Sequence, residues 1–125
     1  MAKKHGPRFL AIVEAARSEI SEYEAPDLRT MMDDGAPLVV IDVREQHEFE
    51  AGHLIGAIHI GKGVIERDIE KHGFGDEARI VLYCGGGYRS AIAAKSLKDM
   101  GWTNVSSLWG GWRSIQAEGL PIWTP

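Results

Sequence analysis

The stretch that decides the reading is Arg79–Ser90, RIVLYCGGGYRS. RIVLY is a short apolar run without alternation, the pattern of a strand covered on both faces in a parallel sheet. The run leads straight into Cys84, and three glycines follow. From Ser90 onward Ala91, Ala94 and Leu97, joined by Ala93 and Met100, recur at helical spacing until Gly101 closes the pattern. Strand, glycine loop and helix in direct succession put Cys84 at the carboxyl end of a strand. That is the edge where open α/β sheets bind their ligands.

Working outward, PLVVID (37–42) repeats the buried-strand signature and ends on an acidic residue, while AIHI (57–60) and NVSSLW (104–109) read as further strands. Between them lie helical segments. Phe9, Ile12, Val13, Ala16, Ile20 and Tyr23 mark one stripe of a helix expected over 8–22. Pro26 and Asp27 open another, with Leu28, Met31 and Met32 inward and Gly35 as its stop. REQHEFEAG suits a short helix closed by Gly52; another, Val64 to Lys71, has Val64, Ile65 and Ile69 inward; WRSIQAEG closes the chain. Strands alternating with helices predict an α/β domain with a mostly parallel sheet.

The chain has 125 residues, 44% hydrophobic and 26% charged, which suits one globular domain and excludes disordered and fibrous classes. A net charge of −4 and a pI near 5.7 argue against nucleic acid as the partner. Apolar runs such as Phe9–Val13 and Pro37–Ile41 fall far short of the roughly 20 residues that span a bilayer. Lys3, Lys4 and Arg8 before FLAIV faintly resemble a signal peptide, but Glu14, Arg17 and Glu19 follow at once, so a cytoplasmic protein is expected. The one cysteine cannot form an intrachain disulfide or a paired-cysteine zinc site. His47, His53 and His59 recur every six residues, which matches neither helical nor strand ligand spacing, so no metal is expected and His53 reads as a structural hydrogen-bonding residue.

Glycines after the cysteine allow backbone N–H groups to converge as an anion nest, and the following helix turns its positive end to the same place. A thiol there is favoured as thiolate. Trp109, at the end of the last strand, is expected on the same edge, walling the pocket.

With these residues in view, the chain resembles the single-domain rhodaneses over about Asp27 to Pro121. The resemblance rests on LVVIDVRE with Asp42 and Arg44, on EFEAGHLIGAIHI, on YCGGGYRS as the active-site loop, and on WGGWRSIQAEGLPI. It implies a three-layer α/β/α fold with a five-stranded parallel sheet, here a domain of residues 26–125 behind an N-terminal helical extension, 1–25, packed on it. It also implies a sulfurtransferase in which Cys84 becomes a persulfide, loading from thiosulfate or a persulfide donor and unloading to a thiol, cyanide or protein acceptor. No cofactor is implied. Gly85, Gly86, Gly87, Tyr88, Arg89 and Ser90 would bind the substrate, with Asp42 and Arg44 in support and Asp42 paired to Arg44 or Arg89.

Related phosphatases and arsenate reductases carry arginine six positions after cysteine; here Arg89 follows Cys84 by five, which argues for sulfur. A non-catalytic docking module is the other alternative, although such domains usually lose the cysteine. Rhodaneses that favour thiosulfate often place a basic residue where this chain has Gly85 and Gly86, leaving an open loop that suits a bulky persulfide or a less selective site. Neither the oligomeric state nor the role of the N-terminal helix is readable from the sequence.

Overall fold

The computed structural model of the chain describes residues 4–125; Met1 to Lys3, the start of the expected extension, lie outside the described residues. In chain order the elements are α1 (Pro7–Arg17), β1 (Ser21–Tyr23), α2 (Ala25–Asp33), β2 (Val39–Asp42), α3 (Gln46–Ala51), β3 (His53–Leu54) and β4 (Ile58–His59). Then follow α4 (Ile65–Asp68) between two 3-10 turns, β5 (Ile80–Tyr83), α5 (Tyr88–Asp99), β6 (Val105–Leu108), α6 (Gly111–Glu118) and β7 (Ile122–Trp123). Five strands form one parallel sheet in the order β1-β6-β5-β2-β4, and β3 pairs antiparallel with β7 apart from it.

RIVLY earns its central place by alternation across the sheet rather than along the sequence. Ile80, Leu82 and Cys84 face one core, shared with Ile41, Ile65, Ile69 and Leu97, while Val81 and Tyr83 face a second with Leu28, Leu108 and Ile115. Both faces are thus covered, which is why every residue from Ile80 to Tyr83 is fully buried and apolar. Helices α4 and α5 cover the first face, α2 and α6 the second, and α1 lies against α5.

Two expected segments need correction. The first helix stops at Arg17, not at 22: Ser18 hydrogen-bonds back to Ala15 O at 2.7 Å, and Ser21–Tyr23 instead pairs with β6 as the edge strand. Arg17 braces the reversal through Glu22 at 2.8 Å, and Ile12, expected inward, is exposed. The segment from Val64 to Lys71 is a short helix between 3-10 turns; Ile65 and Ile69 are buried as expected, but Val64 sits outside the helical region at φ −130° and is exposed. The strands His53–Leu54 and Ile122–Trp123 are too short to show in the sequence pattern. Among the described residues no helix is long and apolar enough to cross a membrane.

Candidate active site

Cys84 leaves the carboxyl end of β5 buried, and its loop is folded by two helix starts at once. On one side Gly87, at φ +106°, turns the chain into α5, so that the N–H groups of Gly87 and Ser90 donate to Cys84 Sγ at 3.2 and 3.4 Å. The thiol in turn reaches Ser90 Oγ at 3.5 Å, and that hydroxyl is tied to Ser107 Oγ of β6 at 2.8 Å. Of the three loop glycines only Gly87 takes up a left-handed conformation.

On the other side, the start of α6 donates to the loop's carbonyls. Trp112 N–H donates to Cys84 O at 2.7 Å, Arg113 N–H to Gly85 O at 3.3 Å and Gly110 N–H to Gly86 O at 3.1 Å. With its carbonyls held outward, the loop keeps amides free to face the sulfur. This approach requires a glycine at 111, which has φ +50°: a Cβ there would lie 2.8 Å from Gly85 C and 2.9 Å from Cys84 C. The GG of WGGW, which reads in the sequence as a turn, is therefore a backbone contact with the Cys84 loop.

Two arginine–carboxylate pairs flank the loop. Asp42, fully buried at the end of β2, accepts from Arg44 Nε at 3.1 Å and Nη2 at 2.7 Å, and from the Arg44 backbone N–H at 2.9 Å. Of the two partners expected for Asp42, Arg44 is the one it takes. The Arg44 guanidinium also donates to Gly52 O at 2.7 Å and lies 4.7 Å over the Trp112 ring. Burial works against its charge, yet its bonds to Asp42 raise its pKa above the ordinary value. Arg89 turns instead to Glu48 of α3, with contacts of 2.8 and 3.3 Å. That hydrogen bond holds the Glu48 carboxyl down at about 2.

A pocket of about 540 Å³ opens above Cys84, lined by Arg44, Glu48, Gly85, Gly86, Tyr88 and Arg89. His5, Phe9, His47, Trp112 and Arg113 complete it. Trp109 does not line it, correcting the expectation: it lies behind the loop, with a Cβ at Gly87 only 3.0 Å from its ring and Arg17 stacked 3.6 Å over its face. Trp112, three residues on, takes the wall position. Glu48, His47, Trp112, Arg113 and the N-terminal pair His5 and Phe9 were invisible as site residues in the sequence, because each comes from an element whose approach to the loop is set by packing. Glu48, inside EFEAGHLIGAIHI, and Trp112 and Arg113, inside WGGWRSIQAEGLPI, lie in segments that carry the resemblance; His5, Phe9 and His47 do not. His53 Nδ1 donates to Phe49 O at 2.8 Å and His59 Nε2 to Arg44 O at 2.7 Å, with the Phe49 ring stacked on both. These two histidines brace β3, β4 and the Arg44 turn.

Comparison with known proteins agrees with this geometry. The family model for the Rhodanese-like domain matches residues 24–118. YrkF, a proposed sulfur carrier protein of Bacillus subtilis, is 32% identical over 96 residues, covering 77% of this chain and 51% of YrkF. The tRNA uridine(34) hydroxylase of Salmonella typhimurium is 32% identical over 117 residues, covering 84% of this chain and 32% of the enzyme. The chain thus spans from about a third to about half of these relatives' length. Among solved structures, the polysulfide-sulfur transferase homodimer of Wolinella succinogenes superposes with TM-score 0.78 at 28% identity, over 93% of this chain and 87% of that one. A Rhodopseudomonas palustris protein of unknown function, described as a possible tyrosine phosphatase, gives TM-score 0.82 at 27% identity over 98% and 99%. A parallel five-stranded sheet, a cysteine at the tip of its middle strand and a matching family model over most of the chain lead to one conclusion: this chain belongs to the rhodanese-like domain family.

Proposed function

We propose that the domain is a sulfurtransferase that carries sulfur on Cys84. The observation that carries the reading is the environment of Sγ: it sits at the floor of a pocket with two loop amides already donating to it. Those amides stabilise negative charge on the sulfur, first as thiolate and then as persulfide. The thiolate attacks the outer sulfur of a donor, a new S–S bond forms, and the donor's S–S bond breaks. With thiosulfate the leaving group is sulfite; with an organic persulfide it is the thiol, which keeps the donor's proton. An acceptor such as cyanide or a thiolate then takes the outer sulfur and returns Cys84 to thiolate.

Arg89, fixed by Glu48, and Arg113 present positive charge to an anionic donor. No second cysteine is present to resolve the persulfide as an internal disulfide, so the sulfur leaves to an external acceptor. That chemistry fits a reducing compartment such as the cytoplasm. Likeness to a polysulfide-sulfur transferase and to a proposed sulfur carrier supports sulfur transfer. The hydroxylase relative is matched over about a third of its length, which supports a shared domain rather than that enzyme's whole activity.

The test is a mass measurement after incubation with thiosulfate, glutathione persulfide or polysulfide. Wild type gains one sulfur atom on Cys84; Cys84→Ser gains none and its turnover falls at least about 10³-fold, as expected for loss of a nucleophile. Absence of the adduct with all three donors would sink the proposal, and Cys84-dependent hydrolysis of an aryl phosphate would replace it with the phosphatase reading.

A further inference from the structure

The pocket over Cys84 has a wall that the family model does not cover. That model begins at residue 24, yet His5 and Phe9 line the same pocket as the cysteine. They reach it because α1 lies along α5, the helix that starts at Tyr88. The His5 ring meets Tyr88 edge-on at 4.7 Å and Phe9 at 5.3 Å, and Phe9 stands 6.4 Å from Tyr88. Trp112 adds a fourth aromatic face, held against Arg44.

We infer that the N-terminal segment is a specificity element, whose His5 and Phe9 side chains select an organic, carboxylate-bearing persulfide over thiosulfate as the donor to Cys84. Size is the first reason. A pocket of about 540 Å³ lies in the range of sites for drug-sized ligands, roughly 300–1,000 Å³, whereas thiosulfate has five heavy atoms. Lining is the second. A small, strongly hydrated dianion gains nothing from four aromatic side chains, but the carbon skeleton of a thiol does.

Charge is the third reason. Three arginines line the pocket against one glutamate, in a chain whose net charge is −4. Arg44 and Arg89 are already paired with Asp42 and Glu48, while Arg113 is exposed and has no carboxylate partner among the described residues. It is therefore the cation available to a donor's carboxylate.

The inference rests on the sulfur-transfer reading of Cys84, and its step balances as before. Cys84 thiolate and RSSH give the Cys84 persulfide anion and RSH: the donor's S–S bond breaks, one forms on Sγ, and no external oxidant or reductant is used.

The experiment compares the rates at which Cys84 gains sulfur, followed by mass spectrometry, from glutathione persulfide and from thiosulfate. Phe9→Ala and His5→Ala are suitable variants because the buried residues that seat α1 are Val13 and Ala16. The expected result is a roughly tenfold fall in the ratio of the glutathione persulfide rate to the thiosulfate rate for Phe9→Ala, with smaller falls for His5→Ala and Arg113→Gln. A ratio unchanged in all three variants would overturn the inference while leaving sulfur transfer intact. Failure of the wild type to gain sulfur from these two donors and from polysulfide would instead remove the reading on which the inference stands.

Discussion

Asp42–Arg44 and Glu48–Arg89 are two carboxylate–arginine pairs beside one loop, and they are built in opposite ways. The first is sealed: its side chains are 0% and 5% exposed, and its guanidinium also caps a backbone carbonyl. The second sits on the pocket rim, with side chains 28% and 34% exposed. In the sealed pair neither ion can be rehydrated without unfolding, so each is committed to the other. In the rim pair water competes for both ions, so the pair orients Arg89 without holding the fold together. The contrast separates what builds this site from what adjusts it, and three substitutions test it.

The largest effect is expected at Asp42. Asp42→Asn keeps the side chain's shape and leaves the Arg44 charge buried without a counter-ion, at a cost of about 3–5 kcal/mol. Urea unfolding at neutral pH measures this. A midpoint equal to wild type would show that the charge of Asp42 is dispensable and that the two pairs do not differ in kind.

Next comes Tyr83, whose phenol connects the sealed pair to β3. Its oxygen accepts the Leu54 N–H at 3.1 Å, and Leu54 is itself buried. Burial and then the nearby Asp42 charge push the phenol well above the ordinary tyrosine pKa, so it stays protonated. Tyr83→Phe removes only that oxygen and leaves the Leu54 amide buried and unsatisfied, for a loss of about 1–3 kcal/mol. Hydrogen exchange at the Leu54 amide should accelerate more than exchange in α5; uniform acceleration would mean that the bond is not local to β3.

How far the sequence foretold these pairs follows the same division. Asp42 could be read as needing a partner because an acidic residue ends a buried apolar run, and burial of a lone charge is costly. RIVLY, VVID and the helix after Ser90 were equally legible, since their periodicity reports which faces are covered. Ser21–Tyr23 was not: as a three-residue edge strand it owes its conformation to pairing with β6, and Ile20 and Tyr23 continue the apolar stripe of the helix before it. Glu48, Trp112, Arg113, His5 and Phe9 lie around the cysteine through packing of α1, α3 and α6, over sequence separations that no local spacing encodes. Trp109 and Trp112 were indistinguishable by composition; only the close approach of Gly111 to the loop decides which of them faces the pocket.

The smallest effect is expected at Glu48, and its pH dependence makes it distinctive. Arg89 depresses the Glu48 carboxyl from 4.5 to about 2 in the folded domain. In the unfolded chain Glu48 therefore binds its proton first as pH falls, and protonation then favours unfolding. The pair's stabilisation is fully present above about pH 4.5 and is lost progressively as pH drops toward 2. Because solvent screens a rim pair, its size at neutral pH is at most about 1 kcal/mol. Glu48→Gln should accordingly lower the urea midpoint slightly at pH 7, and the gap from wild type should shrink by more than half near pH 3. A gap that stays constant across this interval would assign Glu48 a packing role like that of a sealed residue. A gap of several kcal/mol at pH 7 would erase the distinction between the two pairs altogether.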